Sequence, residues 1–438
     1  MRTAILGIIL ACAAQAAWKA GAAKYEITPT ESIWMAGYAA RTKPSEGVRQ
    51  PIYAKALALE DASGRRAIIV TLDLVSIRRP IADAVAERVR TRHSIPRDRL
   101  LFNVSHTHSA PLAGDITSYE TRMGEYYARQ KEVIARYTAT LPDRIMEAVD
   151  KAVGGLAPAT LHFEQGFAGF AVNRRRVGKR NLPGPVDHDV PVLAIRSGGE
   201  LRAVLFGYAC HNTVLSDYMI NGDYAGYAQE TLERRHPGAV ALFVEGAGAD
   251  SNPLPRRSVE LAERYGQTLA DSVDEVLRGK MRSVADTLAA AYETPELRFQ
   301  APPDRAELER RLAGRDDGAK QHAQRLLRRL EHEGRIPDRY PYPVQAWRFG
   351  NEFTLLALGG ELVVDYSLRF KEKYGWDNLW VAGYSNDVFG YIPSLRVLRE
   401  GGYEGGGAFQ FSSFPGPLAE DVEDIIARSV DSVMGRAR

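Results

Sequence analysis

The sequence predicts an α/β fold: mixed, partly antiparallel β-sheets flanked by helices, gathered in a single large domain. Three observations carry that prediction. Three pairs of apolar runs are joined by short Gly-containing loops, the signature of β-hairpins. Helix-period stretches of crossover length lie between them. No Pro/Ser-rich linker and no internal repeat divides the chain. Composition agrees: 438 residues, 45% hydrophobic and 26% charged, exclude disorder, collagen and coiled coil as the main architecture. With 57 Lys+Arg against 55 Asp+Glu, the chain lacks the basic excess of a nucleic-acid binder, and no nucleic-acid partner is expected.

The first 17 residues form an address. Met1-Arg2, an apolar run over 4–11 and the small residues 13–17 follow the order of a secretory signal peptide, with cleavage after Ala16 or Ala17. The run is too short for a transmembrane helix, which needs about 20 apolar residues. Ile9-Leu10-Ala11-Cys12 also has the form of a lipoprotein cleavage box, so lipid anchoring through Cys12 is the second route. Either route exports the protein, to the periplasm or beyond the cell. Simple cleavage removes Cys12 and leaves Cys210 alone, so no internal disulfide is expected. No other segment has the length and apolarity of a membrane span. One domain over 18–438 follows.

Within that domain, 53–59 and 67–72 form the first hairpin, turning at Ala62-Ser63-Gly64. Residues 192–195 and 203–206 form the second, and 346–349 with 353–356 the third, across Gly350-Asn351. Residues 80–92, 126–153 and 258–277 read as helices. In the last, Ala262, Tyr265, Leu269, Val273 and Val276 recur at intervals of three and four. Segment 304–335 is a charged helical insertion with a thin apolar stripe (Leu308, Leu312, Leu326, Leu327, Leu330) broken at Gly314 and Gly318. It reads as an exposed helical pair laid on the body, with a mobile lid as the alternative. The run Arg174-Arg175-Arg176 with Lys179-Arg180 reads as a solvated loop.

The residues that carry chemistry stand at strand ends. A strand over 101–105 runs into His106-Thr107-His108, two histidines that i, i+2 alternation places on one side. A second strand leads to Cys210-His211-Asn212, a third to Gly360-Glu361, and a fourth through Ser385-Asn386-Asp387 to Tyr391. Ligands gathered from several strand ends are the usual construction of a catalytic zinc site. Residues 244–253, rich in Gly and Ala, let backbone approach a ligand and bring in Ser251 as nucleophile or substrate ligand. The Gly-x-Ser-x-Gly elbow is absent; Gly383-Tyr384-Ser385-Asn386-Asp387 fails at its last position, so metal chemistry is better supported than a serine triad. Cys210 reads as a small buried hydrophobe. A (β/α)₈ barrel would need strict strand–helix alternation, against which the hairpins count.

In chain order, Tyr25-Glu26-Ile27-Thr28-Pro29, Met35-Ala36-Gly37-Tyr38, Ser105-His106-Thr107-His108-Ser109-Ala110-Pro111, Asn173-Arg174 and Val186-Asp187 lead on to His211. Asn221-Gly222-Asp223-Tyr224-Ala225-Gly226-Tyr227, 248–253, Gly360-Glu361, 383–391 and Tyr403 complete the set. Together they resemble the catalytic region of the neutral/alkaline non-lysosomal ceramidases, from about Ala23 to the C-terminus. The resemblance implies a single catalytic domain that hydrolyses the N-acyl amide of ceramide, or of a related N-acyl lipid, to a sphingosine-like amine and a fatty acid. It implies one zinc ion per chain, held by His106, His211, Glu361 and Tyr391, with His108, Tyr403, Arg174 and Ser251 as catalytic residues. It implies a lipid-like amide substrate met at a membrane surface. The chain is expected to be a short form, without the C-terminal immunoglobulin-like domain. Its Asp250-Ser251-Asn252-Pro253 stands where the family has an Asp-x-Ser-Pro-Asn order. Two alternatives stand beside this reading: a zinc hydrolase of another linear amide or ester, and a silent lipid- or glycan-binding protein on the same fold.

Overall fold

A computed structural model describes residues 18–177 and 183–437; the expected signal peptide, Cys12, Lys179 and Arg180 lie outside them. The architecture has four layers: helices, an eight-strand sheet path, a four-strand sheet, and helices again. The large sheet uses β1 (Trp18–Glu26), β2 (Tyr53–Glu60), β3 (Arg66–Leu72), β4 (Leu100–Val104), β5 (Ala157–Phe167), β6 (Asp189–Ser197), β7 (Glu200–Tyr208) and β8 (Val240–Glu245) in the order β8-β7-β6-β5-β1-β2-β3-β4. Pairing is antiparallel except at the two ends, where β3–β4 and β7–β8 are parallel. The second sheet, β9 (Leu288–Glu293), β10 (Val344–Phe349), β11 (Phe353–Leu358) and β12 (Leu379–Ala382), also ends in a parallel pair, β11–β12. All three predicted hairpins are present, as β2–β3, β6–β7 and β10–β11.

Strand alternation divides the core. In β2, Leu57 and Leu59 face the second sheet, where they join Trp347, Phe349, Leu355 and Trp380. Ala54, Ala56 and Ala58 face the other way, onto α1 (Arg79–His93) and α2 (Tyr127–Gly154). The far half of the same outer face is covered by α3 (Asp223–Arg235) and α4 (Val259–Arg278), the latter through Ala262, Leu269 and Val273. Both sides of the sheet are thus buried, which explains why β2 and β3 are nearly continuous apolar runs. The charged insertion forms α5 (Arg305–Ala313) and α6 (Asp317–Glu333), followed by α7 (Val364–Tyr374) and α8 (Val422–Arg436) on the second sheet. Asp304 and Asp316 cap the insertion helices by accepting from Glu307 N and Ala319 N. Gly318 does not break the stripe as expected; it sits in the first turn of α6, and the interruption spans Gly314 and the Asp316 cap.

The edge strands β4 and β8 meet. A flat path of eight strands would separate them by about 34 Å at the usual spacing of about 4.8 Å. Instead Glu245 N donates to Asn103 Oδ1 at 2.8 Å, and Asn103 Nδ2 donates to Glu245 O at 3.2 Å and Gly383 O at 2.8 Å. Asn103 is fully buried and stitches β4, β8 and the end of β12 together, curling the sheet until its parallel ends converge. Asn103→Ala leaves Glu245 N and Glu245 O unpaired in the core, where each costs about 1–3 kcal/mol, while Gly383 O keeps the Ser385 hydroxyl. We expect it to lower unfolding stability by about 3 kcal/mol in chemical denaturation; a loss under about 1 kcal/mol would show that the stitch is dispensable.

Candidate metal centre

Three of the converging strand ends carry the expected ligands. Strand β4 stops at Val104, so His106 and His108 are not placed by strand alternation as expected. His106 adopts a left-handed backbone (φ +58°), a costly conformation for a non-glycine residue, and this turn swings its ring against that of His108. The two rings meet edge to face at 4.8 Å, their Nε2 atoms 3.1 Å apart. His211 follows β7. Glu361 and Tyr391 are register partners in two short parallel strands, Glu361–Leu362 and Tyr391–Ile392, which sets carboxylate and phenol side by side.

The tautomers are set from behind. His106 Nδ1 lies 2.6 Å from Val75 O and His211 Nδ1 2.8 Å from Gly248 O; a carbonyl only accepts, so each Nδ1 carries the proton. In the neutral ring, Nε2 then presents its lone pair. Glu361 Oε2 stands 3.3 Å from that of His106 and 3.4 Å from that of His211, buried and without a hydrogen-bond partner. Tyr391 Oη is 3.4 Å from His211 Nε2. Acceptors do not crowd together in a dry interior unless something positive lies between them. Ligand atoms about 2.0–2.2 Å from a tetrahedral zinc stand about 3.3–3.6 Å apart. The donor set of two imidazoles, a carboxylate and a phenol thus fits such an ion in spacing and in chemistry. His106, His108 and His211 together also form a buried group able to hold a metal.

Local electrostatics point the same way. Burial, then the Arg174 charge, pushes His211 down to about 4, and burial with its two neighbouring histidines pushes His108 well below the usual range. Both rings are neutral at pH 7. Burial drives Tyr391 well above its ordinary value, opposed chiefly by Arg174, whose Nη2 donates to the phenol oxygen at 3.0 Å. Arg174 is held in turn by Glu404 at 2.7 Å.

The arginine run is therefore not a solvated loop. Arg174 and Arg175 both bond Glu404, and Arg175 and Arg176 bond Glu400, so two carboxylates from a distant segment neutralise the run and draw it inward. Tyr403 is half-exposed, with its ring edge-on to that of Tyr391 at 5.2 Å; burial and the Glu361 charge raise its phenol to about 12. Ser251 is fully buried. Its carbonyl accepts from His211 N at 3.1 Å and its hydroxyl has no partner. Cys210 is a free, buried thiol in the core, as expected.

Some contributors were given no individual role from sequence. Val75 and Gly248 act through backbone carbonyls, which no side-chain pattern reveals. Tyr384 lies 4.6 Å from the His106 ring, with a buried hydroxyl that has no partner. Gly37, at φ +94°, leaves no room for a Cβ, which would overlap the His108 ring.

The centre forms the floor of a cavity of about 660 Å³. His106, His108, Glu361, Tyr391 and Tyr403 line it, together with apolar side chains from 388–389 and 408–414, and α6 supplies one wall. Residues 18–251 match the family described as neutral/alkaline non-lysosomal ceramidase, N-terminal. The chain belongs to that family. Two solved structures share the fold: a ceramidase complexed with C2 (TM-score 0.71, 18% identity, covering 96% of this chain and 74% of that one) and a neutral ceramidase from Pseudomonas aeruginosa (0.70, 19%, 95% and 75%). At that identity the likeness speaks for the fold alone. No curated protein matches in sequence. Among the described residues no helix is long and apolar enough to cross a membrane.

His211→Ala removes one of the lone pairs. We expect zinc content by elemental analysis to fall from one per chain to near zero, and the rise in melting temperature on adding zinc to vanish. Full occupancy in the variant would sink the assignment.

Proposed function

We propose that this ceramidase-family protein is a zinc-dependent amidohydrolase that cleaves the N-acyl amide of ceramide or a related N-acyl lipid, releasing an amine and a fatty acid. The observation that carries the reading is the set of Nε2 and Oε2 atoms facing one another at 3.3–3.4 Å on the cavity floor. His106, His211, Glu361 and Tyr391 would hold the ion. When bound, zinc supplies Lewis-acid polarisation of the amide carbonyl and acidifies a water.

The chain's own residues do the rest. The Arg174 guanidinium favours the phenolate of Tyr391 through its 3.0 Å hydrogen bond, and Glu404 keeps that guanidinium in place. His108, neutral and in the cavity wall, can take a proton at Nε2 and pass it to the departing amine. Tyr403 keeps its proton at neutral pH, so its hydroxyl can donate to charge developing on the amide oxygen. Ser251 acts by carrying His211, its carbonyl fixing the backbone from which the ligand hangs. Residues 18–438 would act as one exported catalytic unit behind a cleaved leader of 17 residues, with Cys12 as the alternative anchor.

Two experiments test this. The zinc-loaded protein should release amine from ceramide or from other N-acyl lipids, lose turnover with 1,10-phenanthroline, and recover it with zinc; a zinc-replete protein inert toward every amide and ester offered would favour a binding role. Tyr403→Phe should keep zinc while lowering kcat by about 10²-fold, within the range for loss of an oxyanion donor. A fall in zinc content instead would make Tyr403 structural.

A further inference from the structure

Outside the metal centre, the charged lining of the cavity is mostly basic. Arg78, Arg122, Arg325, Arg328, Arg329 and His332 line it, against Asp115, Glu333 and Glu361. The carboxylates are already engaged. Glu361 belongs to the centre, Glu333 accepts from Arg329 at 3.0 Å, and Asp115 accepts from Thr117. Arg328 pairs with Glu120.

Three arginines are left without a close carboxylate among the described residues. Arg325 is almost fully buried and donates only to the carbonyls of Ser412, at 3.0 Å, and Gln410. Arg122 stacks on the rings of Tyr119 and Phe411, at 5.3 and 4.7 Å, and its Nη2 is buried without a partner. Arg78 comes no nearer than 3.9 Å to Asp387, which already accepts from Arg79 and Tyr340. The crowding has a cost: burial first, then the charges of Arg122 and Arg328, lowers Arg325 to about 10. Like charges held together in a half-dry wall are relieved by an anion.

Beside these groups lie Val388, Phe389, Phe409 and Phe414, an apolar strip suited to an acyl chain. We propose that the cavity selects amphiphilic amides that carry an anionic group, a carboxylate, sulfonate or phosphate, seated among Arg122, Arg325 and Arg78 beside an apolar chain. The amide part rests on the function proposed above; the anion seat does not. Ceramide is neutral and offers these arginines no countercharge. Helix α6, which supplies Arg325, then makes the charged insertion a specificity element. The burial of Arg325 and of Arg122 Nη2 inside the cavity favours one small group over a flat membrane surface.

The test uses the zinc-loaded full-length protein and two probes of equal chain length, decanesulfonate and decanol, by titration calorimetry. Decanesulfonate is expected to bind at least about tenfold tighter, and Arg122→Gln to remove that advantage while leaving decanol affinity, zinc content and melting temperature unchanged. Arg325→Lys, which keeps a charge at the buried site, should retain most of it. In kinetics, kcat/KM for N-decanoyltaurine should exceed that for N-decanoylethanolamine, and Arg122→Gln should level the two. Equal affinity for both probes, or a preference untouched by Arg122→Gln, overturns the proposal. If neither amide is cleaved but sulfonate binding still depends on Arg122, the anion seat stands and the hydrolase reading falls. If Arg122→Gln weakens binding to phosphatidylglycerol vesicles but not to decanesulfonate, the arginines serve a membrane and the proposal is overturned.

Discussion

One buried amide side chain decides where this protein's candidate ligands meet. Asn103 bonds the main chain of β8 and of the segment after β12 at once, which brings three parallel strand ends to one point. His106 leaves from the first of these ends, and Glu361 is bound to the third through the chain between Gly360 and Tyr384. Ligands drawn from separate strands are rigid only if the strands are rigid with respect to each other. Side-chain hydrogen bonds between sheets do that better than apolar packing, because each demands a distance and an angle, whereas packing tolerates sliding.

The centre itself is a balance of opposed terms. Three acceptors face each other in a dry pocket, and backbone carbonyls on the far side of each histidine deny them the protons that would ease the contact. Arg174 and the Glu404 behind it offset part of the negative charge without entering the ligand set. Such outer partners orient the ligands and set their basicity. The left-handed backbone of His106 and the absent side chain of Gly37 belong to the same arrangement, since both decide how closely the His108 ring can approach.

Much of this was legible in the residues. Hairpins betrayed themselves by apolar runs around Gly-containing turns, and the long helices by their three-and-four periodicity. The candidate ligands stood out because His106, His211 and Glu361 end apolar runs. What stayed hidden depends on contacts between segments far apart in the chain. The arginine run could not be read correctly without Glu400 and Glu404, which lie more than 200 positions away. The reach of Val75 and Gly248 uses backbone atoms common to every residue. The arginines of α6 looked like an exposed face, since helical periodicity reveals a stripe but not what the opposite side meets.

The order of the strands bears on how the protein comes into being. Strand β1, the earliest strand in the chain among the described residues, lies in the middle of the large sheet, between β2 and β5, while Tyr391 arrives near the end. Contacts of such long sequence separation form slowly and close late. A nascent chain therefore carries His106 and His211 long before it can gather the other ligands. It stays open and incompetent for most of its synthesis, and only a nearly finished chain can close the centre.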